Sequence, residues 1–352
     1  MPADQPPNNP LSATLPEADV NLQLGRADDL RAEVFFTIVP PMAIPAGTRL
    51  SLAATLTGPE STRATTLPVR LPIRTVSKQT ADGTPQVTGT VILTEPAYWT
   101  PEVPMLYRIR GELIAEDGAI ARLNTTVGLR RFGVRGHSLW LEGRRWVLRG
   151  CDSSGLAAMP QREQEREQEP AGHRGMAQVI SLGPDGLATA SSTAPSWQQF
   201  LEEADRHGQP LLICLDPATP VTLVRSTILA LTRHPAVVMV VLPVELLTAA
   251  ASCKPPAGTL LLAAQVTGSQ PPTAASPGID VHLVRLPPEA VPAEEWRRPL
   301  GPPAIAWSVS SHVDRPACDQ FQARLATWRM SGDGPPHDWD WAGFLVGGAS
   351  RE

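Results

Sequence analysis

The sequence predicts a chain in two parts, a β-sandwich followed by a (β/α)8 barrel, and three observations predict it. Apolar, β-branched runs with antiparallel alternation fill the first third. Near-continuous apolar runs separated by helical segments fill the remainder. The chain's 38 prolines break it into many short elements. With 352 residues, 42% of them apolar, there is enough material for two cores.

Taken in order, residues 1–20 (MPADQPPNNPLSATLPEADV) are polar and rich in Pro and Asn, and read as a disordered arm. They lack the positive start and apolar centre of a signal peptide. Residues 21–135 read as an immunoglobulin-like β-sandwich of about seven strands. Its runs are RAEVFFTIVP (31–40), TRLSLAATL (48–56), TTLPVRL (65–71), VTGTVIL (87–93), MLYRIRGELI (105–114) and IARLNTTVGLRRF (120–132). In the fifth run Tyr107, Ile109 and Gly111 alternate with Leu106, Arg108 and Arg110, giving one buried and one wet face. The joint GHSLWLEGRRWVLRGCD (136–152) reads as a hairpin about LEGR whose second strand enters the barrel.

Residues 136–352 read as a compact TIM barrel. Its strands are RRWVLRGC (144–151), MAQVISL (176–182), PLLICLD (210–216), AVVMVVLP (236–243), TLLLAAQV (259–266), IDVHLVRL (279–286), PAIAWSV (303–309) and AGFLVGG (342–348). Helical periodicity marks SWQQFLEEADRHG (196–208), TLVRSTILALTR (222–233) and ACDQFQARLATW (317–328). SQPPTAASPG after the fifth strand is too short for a helix and reads as a loop, and QREQEREQE (161–169) reads as a solvated charged segment.

Net charge is −5 with no Lys/Arg run, which excludes nucleic acid as a partner. No stretch approaches the roughly 18 apolar residues of a membrane span, so no membrane association and a cytoplasmic location are expected. Cys151, Cys214, Cys253 and Cys318 lack metal-ligand spacing and read as free, buried thiols. No metal and no cofactor is expected.

A barrel carries its chemistry at the C-terminal ends of its strands. Glu245 ends LTRHPAVVMVVLPVE (231–245), and is either an acid catalyst or a first-turn carboxylate of the LLTAAAS that follows. Asp216 follows the third strand and is either a turn residue before PATP or a base. Asp152 ends the first strand, which is not a neighbour of the fourth. His234 stands at the opposite, N-terminal end, where it reads as a structural hydrogen-bonder. HDWDW (337–341) is either core packing or an aromatic sugar platform.

The joint also carries a family resemblance. Trp99, Pro101, Pro104, Leu106 and Tyr107, then Gly128 and Arg130, then Glu142-Gly143, then Leu148, Arg149 and Gly150 stand in the order and spacing found in family 2 glycoside hydrolases. Residues 98–151 therefore resemble that group of β-galactosidases, β-glucuronidases and β-mannosidases. Thr232, Arg233, His234 and Pro235 match the start of its fourth barrel strand. The resemblance implies hydrolysis of O-glycosyl bonds, with an acid/base from strand four and a nucleophile from strand seven.

On that pattern Glu245 falls on the acid/base position and Ser308, in PPAIAWSVSS (302–311), on the nucleophile position. Asp152, Asp216, Trp307 and Ser308 become the substrate-contacting candidates. Several positions depart from the family. Val244 replaces an Asn that hydrogen-bonds sugar, Val240 replaces a Trp, and Ile180 stands near an expected Arg. Asp152-Ser153-Ser154-Gly155 replaces Asn-Arg-His-Glu, and the jelly roll that usually precedes the sandwich has no expected counterpart. A retaining glycosidase needs two carboxyls about 5 Å apart, and serine is not one. The expectation is a glycosidase-like pseudoenzyme that binds a carbohydrate or a protein partner. The alternative is an active, divergent glycosidase using Glu245 and an unidentified second carboxylate.

Overall fold

The computed structural model describes residues 15–45, 47–79, 85–152, 175–183, 197–267, 270–272, 276–297, 301–310, 312–331 and 340–347. The segment QREQEREQE and residues Ser153 to Gly155 lie outside them. Two antiparallel four-stranded sheets come first. One has the order β1-β2-β6-β5, formed by Asp19–Ala27, Arg31–Val39, Pro85–Thr94 and Arg74–Gln79. The other has the order β4-β3-β7-β8, formed by Val69–Pro72, Ser51–Glu60, Leu106–Ala115 and Gly118–Val127.

The period-2 alternation of the strands turns Val34, Phe36 and Ile38 of the first sheet onto Leu52, Leu56, Ile109 and Leu113 of the second, all buried. The sandwich has eight strands, so the count of about seven is corrected. Of TTLPVRL only Val69 to Leu71 lie in β4; beyond it the chain pairs once through the Ile73 N–H to the Ala54 carbonyl (2.9 Å) and continues as β5 in the other sheet. The expected arm over residues 1–20 is corrected at its end, residues 1–14 lying outside the described residues. The Ala18 N–H donates to Arg122 and the Arg122 N–H to Pro16, each at 2.8 Å, and β1 begins at Asp19.

A three-stranded sheet, β9 (Phe132–Arg135), β10 (Ser138–Leu141) and β11 (Arg144–Trp146), links the two parts. Glu142 and Gly143 join β10 to β11 with φ of 50° and 73°, the pair of left-handed residues that a two-residue hairpin of matching twist requires. RRWVLRGC accordingly divides: β11 ends at Trp146, and the barrel begins separately at Leu148. Phe132, Leu139 and Leu141 of this sheet share one apolar cluster with Leu148, Ala177 and Val281, the first residues of three barrel strands, and so close the barrel's foot.

Eight parallel strands make a closed barrel. They are β12 (Leu148–Asp152), β13 (Ala177–Leu182), β14 (Leu211–Leu215), β15 (Val237–Leu242), β16 (Leu261–Thr267), β17 (Val281–Leu286), β18 (Ala304–Val309) and β19 (Gly343–Gly347). Helices α1 (Trp197–His207), α2 (Val221–Leu231), the four-residue α3 (Leu247–Ala250) and α4 (Arg315–Met330) cover its outside. Asp314 accepts the Ala317 N–H at 2.8 Å and caps α4, with Pro316 in its first turn. Among the described residues no helix is long and apolar enough to cross a membrane. None of the four cysteines forms a disulfide; Cys151, Cys253 and Cys318 are buried and Cys214 is partly so.

Sandwich and barrel meet at the foot through buried polar contacts. The Trp99 indole donates to the Asp205 carbonyl at 2.8 Å, and Arg130 donates to the carbonyls of Pro235 and Val237. The Asp205 carboxylate accepts the Ala236 N–H at 2.8 Å and lies 2.7 Å from His234 Nδ1, which makes His234 a structural residue. Burial pushes the Arg130 guanidinium down to about 9, with Asp205 and Glu142 acting in the opposite direction, so it remains charged at neutral pH. The backbones fit closely here. A Cβ on Gly128 would stand 2.6 Å from Pro235 Cγ, and one on Gly208, whose φ is +67°, would stand 2.4 Å from the Pro101 oxygen.

Candidate functional site

Which side chains enter the barrel is set by strand alternation. Val179, Leu212, Met239, Ala263, Leu283, Ile305 and Leu345 share the inner cluster, whereas Ala304 and Ala306 belong to the outer cluster with Phe321 and Leu325 of α4. Two residues further along each strand, the same inward face carries Asp152, Ser181, Cys214, Gln265, Arg285 and Trp307 at the C-terminal mouth. An apolar barrel thus ends in a polar rim.

Contacts among these residues are close. The Arg285 guanidinium lies 4.9 Å from the Trp307 ring centroid. Gly347 sits between Trp307 and Asp152: a Cβ there would be 2.6 Å from Trp307 Nε1 and 2.9 Å from Asp152 Cβ. The glycine lets the indole and the carboxylate share one side of the mouth. Trp307 Nε1 is buried and has no hydrogen-bond partner among the described residues. Burial pushes the Cys214 thiol up to about 12, with the Asp152 charge acting in the same direction and Arg285 against it. It stays a neutral thiol at physiological pH, which removes it as a nucleophile.

The candidates from the sequence fall into two sets. Asp152 and Trp307 meet at the mouth. Glu245 stands above it, exposed, in the 3-10 turn Val244–Leu246 that follows β15 and Pro243. Asp216 follows β14, and its carboxylate accepts the Ala218 N–H at 2.7 Å, an Asx turn leading towards α2. Ser308 is a correction. It is buried on the outer face of β18, where its hydroxyl accepts from Arg324 of α4 at 3.3 Å, so it does not line the mouth. Ile180 also faces outward, packed on a cluster that includes Phe200, Leu201 and Ile213. Of HDWDW, residues 337–339 lie outside the described residues; Trp341 is core, 5.7 Å from Trp296, and Asp340 pairs with Arg145 and Arg329.

Arg285, Cys214, Gln265 and Ser181 are rim residues that sequence reasoning missed. A charge closing the apolar run VHLVR, at the end of a barrel strand, was the signal for Arg285. Among the described residues no group of three His, Cys, Asp or Glu side chains stands where a metal ion could be held.

A sandwich joined to an eight-stranded barrel, with a polar rim at its C-terminal mouth, has the fold of the family 2 glycoside hydrolases. A Bifidobacterium dentium β-glucuronidase complexed with coumarin-3-O-glucuronide superposes with TM-score 0.58 at 12% identity, covering 94% of this chain and 60% of that one. A Parabacteroides merdae β-glucuronidase gives 0.57 at 12% identity, covering 95% and 47%. A family 2 β-galacturonidase from Eisenbergiella tayi bound to galacturonate gives 0.52 at 13% identity, covering 95% and 65%. The chain spans less than two thirds of the length of each. No protein-family profile and no curated protein sequence matches it.

Proposed function

We propose that this chain is a glycosidase-like scaffold that binds a carbohydrate at the barrel mouth without hydrolysing it. One observation carries the reading: strand β18, the source of the nucleophile in the family it resembles, turns Trp307 and Val309 inward and Ser308 outward. Asp152 is the single carboxylate on the inward positions of the described barrel strands, and one carboxylate is not a hydrolytic pair. What remains suits binding. The Arg285 guanidinium on the Trp307 ring and the Asp152 carboxylate are the polar groups that orient a ligand above an apolar barrel interior.

The competing reading, an active divergent glycosidase, draws support from Glu245, which stands after the fourth barrel strand at the catalytic end. A panel of nitrophenyl glycosides assayed with the wild type and Glu245→Gln separates the two. No turnover by either protein, together with saturable sugar binding that Trp307→Ala weakens at least tenfold, is the expected result. Turnover by the wild type that Glu245→Gln abolishes would sink the proposal.

A further inference from the structure

A second cleft, of about 370 Å3, lies at the foot of the barrel, between β1, the three-stranded sheet and the loop before β16. That volume is within the range of small-molecule sites. The alternation of β9 builds it. Phe132 and Val134 point to the barrel core, so Arg131, Gly133 and Arg135 point the other way. Trp140 is paired with Gly133 across β9 and β10 and shares that face. A Cβ on Gly133 would meet nothing within 4 Å, so the space beside the indole is open.

The chemistry of the cleft is cationic and aromatic, and none of its lining residues is acidic. Arg130 is occupied by two backbone carbonyls, and Arg131 by Glu142 at 2.8 Å and Asp29 at 2.7 Å. Arg135 differs. It is exposed, lies 4.9 Å from the Trp140 ring centroid, and forms no ion pair among the described residues. The Trp140 ring, whose own N–H is buried, is the aromatic face beside that guanidinium. Arg135 is therefore the lining arginine left to take an anion. Leu24 and Ala27 add an apolar wall.

We propose that this cleft binds a small organic carboxylate, its anionic end held by Arg135 and its apolar body against the Trp140 ring, Leu24 and Ala27. A guanidinium offers a fork of donors that fits a carboxylate in its plane. The site stands at the opposite end of the barrel from Asp152 and Trp307, and does not depend on what the mouth binds.

Titration calorimetry of the full chain with benzoate, benzamide and inorganic phosphate tests it. Benzoate is expected to bind saturably, and benzamide, which keeps the ring and loses the charge, at least tenfold more weakly. Phosphate is expected to bind more weakly than benzoate. Arg135→Gln and Trp140→Ala are each expected to weaken benzoate at least tenfold, and Gly133→Leu, which fills the open space, to abolish it. Equal affinity for benzamide, tighter binding of phosphate, or no saturable binding of benzoate overturns the proposal. Those three outcomes need only the unmutated chain, so they hold even where a variant does not fold.

Discussion

The two ends of the barrel are built differently. At the foot, Trp99, Arg130, Asp205 and His234 are buried and hydrogen-bonded to one another or to the backbone, and Gly128 and Gly208 admit contacts that any side chain would block. At the mouth, Glu245 is exposed, Trp307 Nε1 has no hydrogen-bond partner among the described residues, and Cys214 is a thiol held neutral by burial. The residues that carry the family resemblance most fully, Trp99, Gly128, Arg130, His234 and Pro235, belong to the foot. Fold likeness in this chain is therefore written in the joint between its parts. Architecture and chemistry are separable properties of one barrel.

Substitutions at the two ends should differ in stability by several kcal/mol. The largest effect is expected for Trp99→Ala, which empties a fully buried site and removes the bond to Asp205; about 4 kcal/mol should be lost, read from the urea midpoint at unchanged slope. Gly128→Ala should cost about 2 kcal/mol, because the new methyl meets Pro235 and Trp99; a variant as stable as wild type would break the claim that the joint is closely packed.

A smaller effect concerns His282, near the start of β17, packed 6.4 Å from Trp296 with its pKa held down by burial. A histidine with a lowered folded pKa contributes stability that is present above its unfolded value of about 6.5 and lost as pH falls through it. The unfolding free energy should fall between pH 7 and pH 5, and His282→Phe should flatten that part of the profile. The smallest effect is expected at the mouth, where Glu245→Gln should change stability by less than about 0.5 kcal/mol in the same urea assay.

Much of the barrel was legible in the sequence because each strand, covered on both faces, must be apolar nearly throughout, and AVVMVVLP and PLLICLD admit few other readings. The joint was legible through Trp99 and Arg130, large side chains at fixed spacing. Other features needed three dimensions. The step from β4 to β5 at Ile73 is a change of sheet, not a change of pattern, and the break at Val147 leaves the apolar run intact. Ser308 was misplaced for a related reason. A strand shows its inward residues at every second position, so an offset of one residue moves a candidate from the lumen to the helix layer. Arg285 was hidden within an apolar run, since only its place at the end of β17 gives it a role.

The parity of β18 also decides how this barrel could be re-equipped. A glutamate introduced at Ser308 would lie beneath α4 beside Arg324, as a new buried ion pair outside the lumen. Near the mouth, a carboxylate meant for the lumen on this strand replaces Trp307 or Val309, and the second choice keeps the indole against Gly347 and the Arg285 guanidinium. At this end of β18, Val309 is therefore the position where one substitution adds an inward carboxylate and leaves the rim's existing contacts in place.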